Sequence, residues 1–131
     1  IELTLLTQVV FEHEPFLQWA TALRAQGVRA RIVAGLAGPA SVATLLRFAV
    51  RCGAGPSIRA LGVRPGILAK LLGDRGPEDV VCGLAAAQAR GAAPFEGIHL
   101  FCFGGFLRAA EWLHKVAGGR FRLDGTGSFR V

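Results

Sequence analysis

"LTLLTQVVFEHEPF", Leu3 to Phe16, passes from an apolar run into the first turn of a helix, and that transition sets the reading of the whole chain. Leu3–Val10 has the unbroken apolar character of a strand buried on both faces, as strands of parallel sheets are. Gln8 interrupts it. A buried amide without partners costs about 1–3 kcal/mol, so the position predicts either internal hydrogen bonds or a ligand that supplies them. Beyond the run, Phe16, Trp19, Ala20 and Leu23 recur at i, i+3, i+4 and i+7, one face of a helix. Pro15 suits its opening turn and Gly27 its end. Glu12 and Glu14 fit the acidic start that a helix dipole favours.

The same transition occurs twice more. "ARIVA" (Ala30–Ala34) leads through the loop "GLAGP" to a helix capped by Ser41, with Val42, Leu45, Leu46 and Ala49 inward and Gly53 at its end. From Gly55 to Gly91 no strand is evident. Short helical turns are expected around Ile58–Leu61 and Ile67–Leu72, then a helix over Pro77–Arg90 that begins with Glu78 and Asp79. "IHLFCF" (Ile98–Phe103) is the third run. A helix with Leu107, Ala110 and Leu113 on one side follows Gly104–Gly105, and Gly118–Gly119 stops it. Arg120–Val131 reads as a loop with an edge strand.

Strand–helix alternation with short joints predicts an α/β fold of βαβ units with right-handed crossovers. A closed (β/α)8 barrel takes eight strands and ~250 residues. The three runs here predict an open sheet or about the last three units of such a barrel. The start at Ile1, without methionine and directly on strand-like sequence, favours a partial TIM barrel, with residues 1–131 forming one domain.

Composition narrows the function classes. Hydrophobic residues make up 52% of the 131 and mean hydropathy is +0.44, unlike a disordered chain. No apolar run nears the ~20 residues of a membrane span, and no signal peptide is recognisable. The net charge of +6 is spread over Arg24, Arg47, Arg59, Arg75, Arg90 and Arg108 without interleaved aromatics, which argues against nucleic acid. Attraction for a small polyanion remains. Cys52, Cys82 and Cys102 form no CxxC pair, and His13, His99 and His114 are scattered. Neither a metal site nor a disulfide framework is predicted, and a reducing, cytoplasmic setting fits.

In a barrel, chemistry gathers at the carboxyl ends of the strands. Gln8, then Gly35, Gly38 and Pro39, then Phe101 to Gly105 fall at the three run ends. Glycines there admit a ligand close to the backbone, and aromatics offer a surface to a planar heterocycle. Each position also has an ordinary reading. Gln8 suits a structural hydrogen bonder, "GLAGP" a turn, Phe48 core packing and His99 a satisfied core histidine.

The combination goes further. "TQVVFEHEPF" (Thr7–Phe16) resembles the T-Q-x-F-F-[DE]-x-E-x-[FY] segment of methylenetetrahydrofolate reductases, flavin-dependent barrel enzymes of one-carbon metabolism. "RIVAGLAGPASVATLLRFAVRCG" (Arg31–Gly53) is similar to the family's I-[IV]-P-G-I-x-P and the following helix with [KR]-F-A. "GIHLFCFGG" (Gly97–Gly105) resembles G-x-H-F-Y-T-L-N. The three lie in family order. The sequence departs at Ala34 and Gly38, where the family has prolines, at Phe101 for tyrosine, and at Cys102, Phe103 and Gly104 for T-L-N. Its rim is therefore more apolar than the family's.

The resemblance implies roles. Gln8 would hydrogen-bond the pterin of a folate substrate, Phe48 would pack on folate or nicotinamide nucleotide, and Phe101 would keep an aromatic face towards substrate. Gly35 and Gly104 would lie beside the FAD cofactor, with NAD(P)H as co-substrate. The family's proton-donating acid lies near its first strand and most flavin contacts come from its middle strands, so this chain alone is expected to be inactive. Two other classes stand beside this one. One is a folate-binding barrel that is not a reductase, a tetrahydrofolate-dependent demethylase or methyltransferase, suggested by the altered third motif. The other is a non-catalytic module that associates, with itself or another chain, through open strand edges.

Overall fold

A computed structural model describes residues 2–41, 44, 47–48, 51, 77–91, 93–103, 105–125 and 127–131. The first apolar run is β1 (Thr4–Val9), its helix α1 (His13–Ala25) and the second run β2 (Arg31–Ala37). After these come α2 (Glu78–Ala89), β3 (Gly97–Phe101), α3 (Phe106–Ala117) and the short strands β4 (Arg122–Leu123) and β5 (Phe129–Arg130). β1, β2 and β3 form a parallel sheet in sequential order, and β4 and β5 an antiparallel pair. The chain is thus a mixed α/β fold.

Helix limits follow local chemistry. Pro15 sits in the first turn of α1, where its missing N–H costs nothing, and Gly27 beyond its end has φ +84°. Pro77 precedes α2, and Glu78 and Asp79 occupy its first turn. Thr44, Arg47, Phe48 and Arg51 are helical, and Ser41 Oγ accepts the Thr44 N–H at 3.3 Å, the cap its sequence predicts. The expected inner positions Val42, Leu45, Leu46 and Ala49, and the turns around Ile58–Leu61 and Ile67–Leu72, lie outside the described residues.

β2 carries the core. Ile32, Ala34 and Leu36 point to one face, where they meet Phe16 and Ala20 of α1, Leu84 of α2 and Phe95. The Phe16 and Phe95 rings touch edge to face at 5.6 Å. Each large apolar side chain removed from water here stabilises by about 1.5–3 kcal/mol. Both helices therefore cover one face of the sheet. Leu6, Val33, Ala37 and Phe101 do not join that cluster; they belong to the opposite face.

A polar clamp ties the layers. Glu96 Oε1 accepts from Arg24 Nη2 at 2.7 Å and its Oε2 from the Ile32 N–H at 2.6 Å. Arg24 Nη1 also donates to the carbonyls of Val28 and Ala30. At the other end, Trp112 Nε1 of α3 donates to Glu78 Oε1 at 2.7 Å. The β4–β5 pair packs through Phe129, buried against Trp112 at 6.1 Å.

Two expectations are corrected, and the orientation of α3, which spacing left open, is settled. β1 is largely exposed, with Leu3 at 64% and Leu6 at 47%, because among the described residues it forms an edge of the sheet and pairs only with β2. β2 runs on through Gly35, Leu36 and Ala37, so the turn begins only at Gly38. In α3 the side bearing Leu107, Ala110 and Leu113 is outward, with Leu107 82% exposed. Ala109 and Trp112 face inward instead, since Glu78 and Phe129 hold the indole.

Candidate functional site

Parallel register brings the three strand ends to one edge of the sheet. Val9 lies opposite Gly35, and Ala37 opposite Phe101. The Val10 N–H donates to Gly35 O at 2.8 Å and the Gly38 N–H to Phe101 O at 3.1 Å, extending the pairing past the strands. The β1 register shifts between Leu6 and Val9. Thr7 fills that irregularity: its Oγ1 accepts the Gly35 N–H at 2.9 Å and donates to Gln8 O at 2.7 Å. The irregularity thus leaves the Gly35 donor satisfied by a side chain.

Gly35 is buried, and the reason is steric. A Cβ there would lie 2.5 Å from Phe101 Cε2 and 2.6 Å from Thr7 O. The space expected to admit a cofactor is filled by the Phe101 ring, so this glycine serves internal packing. From Phe101 an aromatic row runs along the edge. The His99 ring meets Phe101 at 4.7 Å, Phe101 meets Phe103 at 6.2 Å, and Phe103 meets Phe48 at 5.2 Å.

The predicted substrate residues Phe48 and Phe101 are therefore joined through Phe103, one of the run-end aromatics. His99 is exposed, not a core histidine, because its side chain shares with Phe101 the face opposite the core cluster. Gln8 is exposed too, and its amide has no hydrogen-bond partner among the described residues. The burial penalty that its setting suggested does not arise; the amide stands available to solvent or ligand. Gly104 lies outside the described residues.

The row presents flat apolar surface and an imidazole. Such a surface stacks on a planar ring. No group of three His, Cys, Asp or Glu side chains that could hold a metal occurs among the described residues. Cys102 is exposed at this edge, while the half-buried Cys82 thiol on α2 is pushed above its ordinary range, first by burial and then by Asp79, Asp124 and Glu78.

No protein-family model matches this chain. No helix among the described residues is long and apolar enough to cross a membrane.

Proposed function

We propose that the chain is the C-terminal portion of a methylenetetrahydrofolate reductase-like (β/α)8 barrel, contributing about its last three β/α units. The observation that carries this reading is the aromatic row His99–Phe101–Phe103–Phe48, set at the carboxyl edge of a parallel sheet. In such barrels helices ring the outside and chemistry sits at the carboxyl ends of the strands. Sequential strand order and two helices on one face of the sheet are consistent with that arrangement. The complete enzyme would reduce 5,10-methylenetetrahydrofolate to 5-methyltetrahydrofolate, passing hydride from NAD(P)H through FAD.

In this reading Gln8 pairs with the pterin edge while Phe101 and Phe48 flank its plane. The row suits the planar part of a pterin or of an isoalloxazine. Gly35, closed off by Phe101, does not contribute a cofactor approach. Bound FAD would supply the hydride relay, with the protein orienting the rings.

The test begins with 5-methyltetrahydrofolate titrated calorimetrically into this chain and into Gln8→Ala and Phe101→Ala. Binding lost in both variants is expected; unchanged binding in both overturns the assigned roles. The longer protein carrying additional strand–helix units is expected to purify yellow and to oxidise NADH with menadione. A colourless, inactive protein overturns the reductase. Folate affinity in that colourless protein would instead favour the non-reductase barrel.

The exposed edge of β1 supports a second reading. With Leu3 and Leu6 open to solvent, this strand offers unpaired backbone groups to another chain. An associating module is expected to self-associate without folate affinity.

A further inference from the structure

The aromatic row leaves the chain's excess positive charge unexplained. Arg120, Arg122 and Arg130 cluster in and beside the β4–β5 hairpin, all exposed, and none has an ion-pair partner among the described residues. Arg122 stands directly opposite Arg130 in the antiparallel pair. That register sets two like charges on one face with Cβ atoms about 5 Å apart, an unfavourable arrangement when nothing lies between them.

The surroundings form a shaped site. The three arginines line an open depression of about 510 Å³ together with Phe121, Leu123 and Asp124. Asp124 Oδ1 is engaged by the Ser128 N–H at 3.2 Å, bracing the hairpin. Phe129 anchors the hairpin in the core and meets the Phe121 ring at 5.0 Å, tilted by 54°, while Phe121 remains 40% exposed. The guanidinium pair is thus mounted on a fixed element beside an accessible aromatic face.

We propose that this depression binds a phosphorylated small molecule carrying a planar group. Arg122 and Arg130 hold the phosphates from two sides and Phe121 receives the planar group. Guanidinium forks match phosphate oxygens bidentately, and a polyanion between the two arginines turns their repulsion into attraction. The depression falls within the ~300–1,000 Å³ typical of small-molecule sites. Nucleic acid would call for a basic stripe across the surface, whereas these charges converge on one hollow. The site is separate from the folate reading and does not depend on it.

Calorimetry on the whole chain, with inorganic pyrophosphate and with magnesium-free ATP as probes, tests the proposal. Saturable binding of both is expected, with ATP the tighter. Arg122→Gln and Arg130→Gln should each weaken both probes about 10-fold or more, as loss of charged hydrogen bonds does. Phe121→Ala should weaken ATP towards the pyrophosphate value and leave pyrophosphate unchanged. Arg90→Gln, which removes an equal charge at the end of α2, should leave both intact. Without ligand, Arg122→Gln should melt no lower than the parent chain, showing that the fold survives. Absence of saturation with either probe overturns the proposal. So does equal weakening by Arg90→Gln, or displacement of pyrophosphate by a single-stranded oligonucleotide at lower phosphate concentration.

Discussion

Gly35 shows how much one missing methyl group decides. Its pseudo-Cβ contacts include the Thr7 carbonyl, a backbone atom that cannot turn aside. Gly35→Ala should cost about 1–3 kcal/mol by overpacking, read as a lower urea midpoint, and Phe101→Ala should not restore it. Gly83 of α2 makes the useful contrast. The nearest atoms a Cβ there would meet are those of the His13 ring, and a ring can be removed. Gly83→Ala should destabilise, and adding His13→Ala should recover most of the loss; no recovery would show that the helices themselves are forced apart. The cysteines differ in the same local way. Because the folded pKa of Cys82 is raised, the native state keeps its thiol proton to higher pH. The stability tied to that proton is complete below the ordinary value of 9.0 and declines as pH rises past it. At pH 8, iodoacetamide followed by mass spectrometry should label exposed Cys102 before Cys82. The reverse order would refute the assignment.

At the scale of elements, a few polar bonds set how helices sit on the sheet. Glu96 joins the end of α1 to the start of β2 by accepting from both Arg24 and the Ile32 N–H. Glu96→Ala removes the acceptor of that N–H and of Arg24 Nη2, while Nη1 keeps the Val28 and Ala30 carbonyls, and should lower stability by about 1.5–3 kcal/mol in urea denaturation. An unchanged midpoint would mean that water replaces the carboxylate at no cost. The Trp112–Glu78 bond performs the equivalent task for α3, turning Trp112 and Ala109 inward and leaving Leu107 and Leu113 in solvent. Helical spacing correctly grouped Leu107, Ala110 and Leu113 on one side. It carried no information about which side would meet the sheet, because a tryptophan and an alanine on the other face offered a competing stripe and a buried acceptor awaited the indole.

For the molecule as a whole, β1 is an edge of the sheet among the described residues. Leu3, Leu5 and Leu6 expose apolar surface on a strand whose outer edge has no paired strand among the described residues. The chain should associate as concentration rises, and Leu6→Lys should reduce that association in sedimentation velocity, since a charge on an edge strand opposes edge-to-edge pairing. Concentration-independent monomers would show that the edge is protected.

The sequence by itself determined the strand–helix alternation, the parallel α/β class, the span of α2 and the Ser41 cap, because propensity, capping and periodicity act over a few residues. It also placed the three run ends on one edge, a consequence of the parallel direction of the strands. Tertiary structure alone decided that Gln8 and His99 are exposed, that Phe101 fills the space over Gly35, and that Phe103 links Phe101 to Phe48. It alone set Arg122 against Arg130 across a hairpin. Burial and cross-strand pairing depend on what lies opposite in space, and residues far apart in the chain leave no local pattern by which that partner can be read.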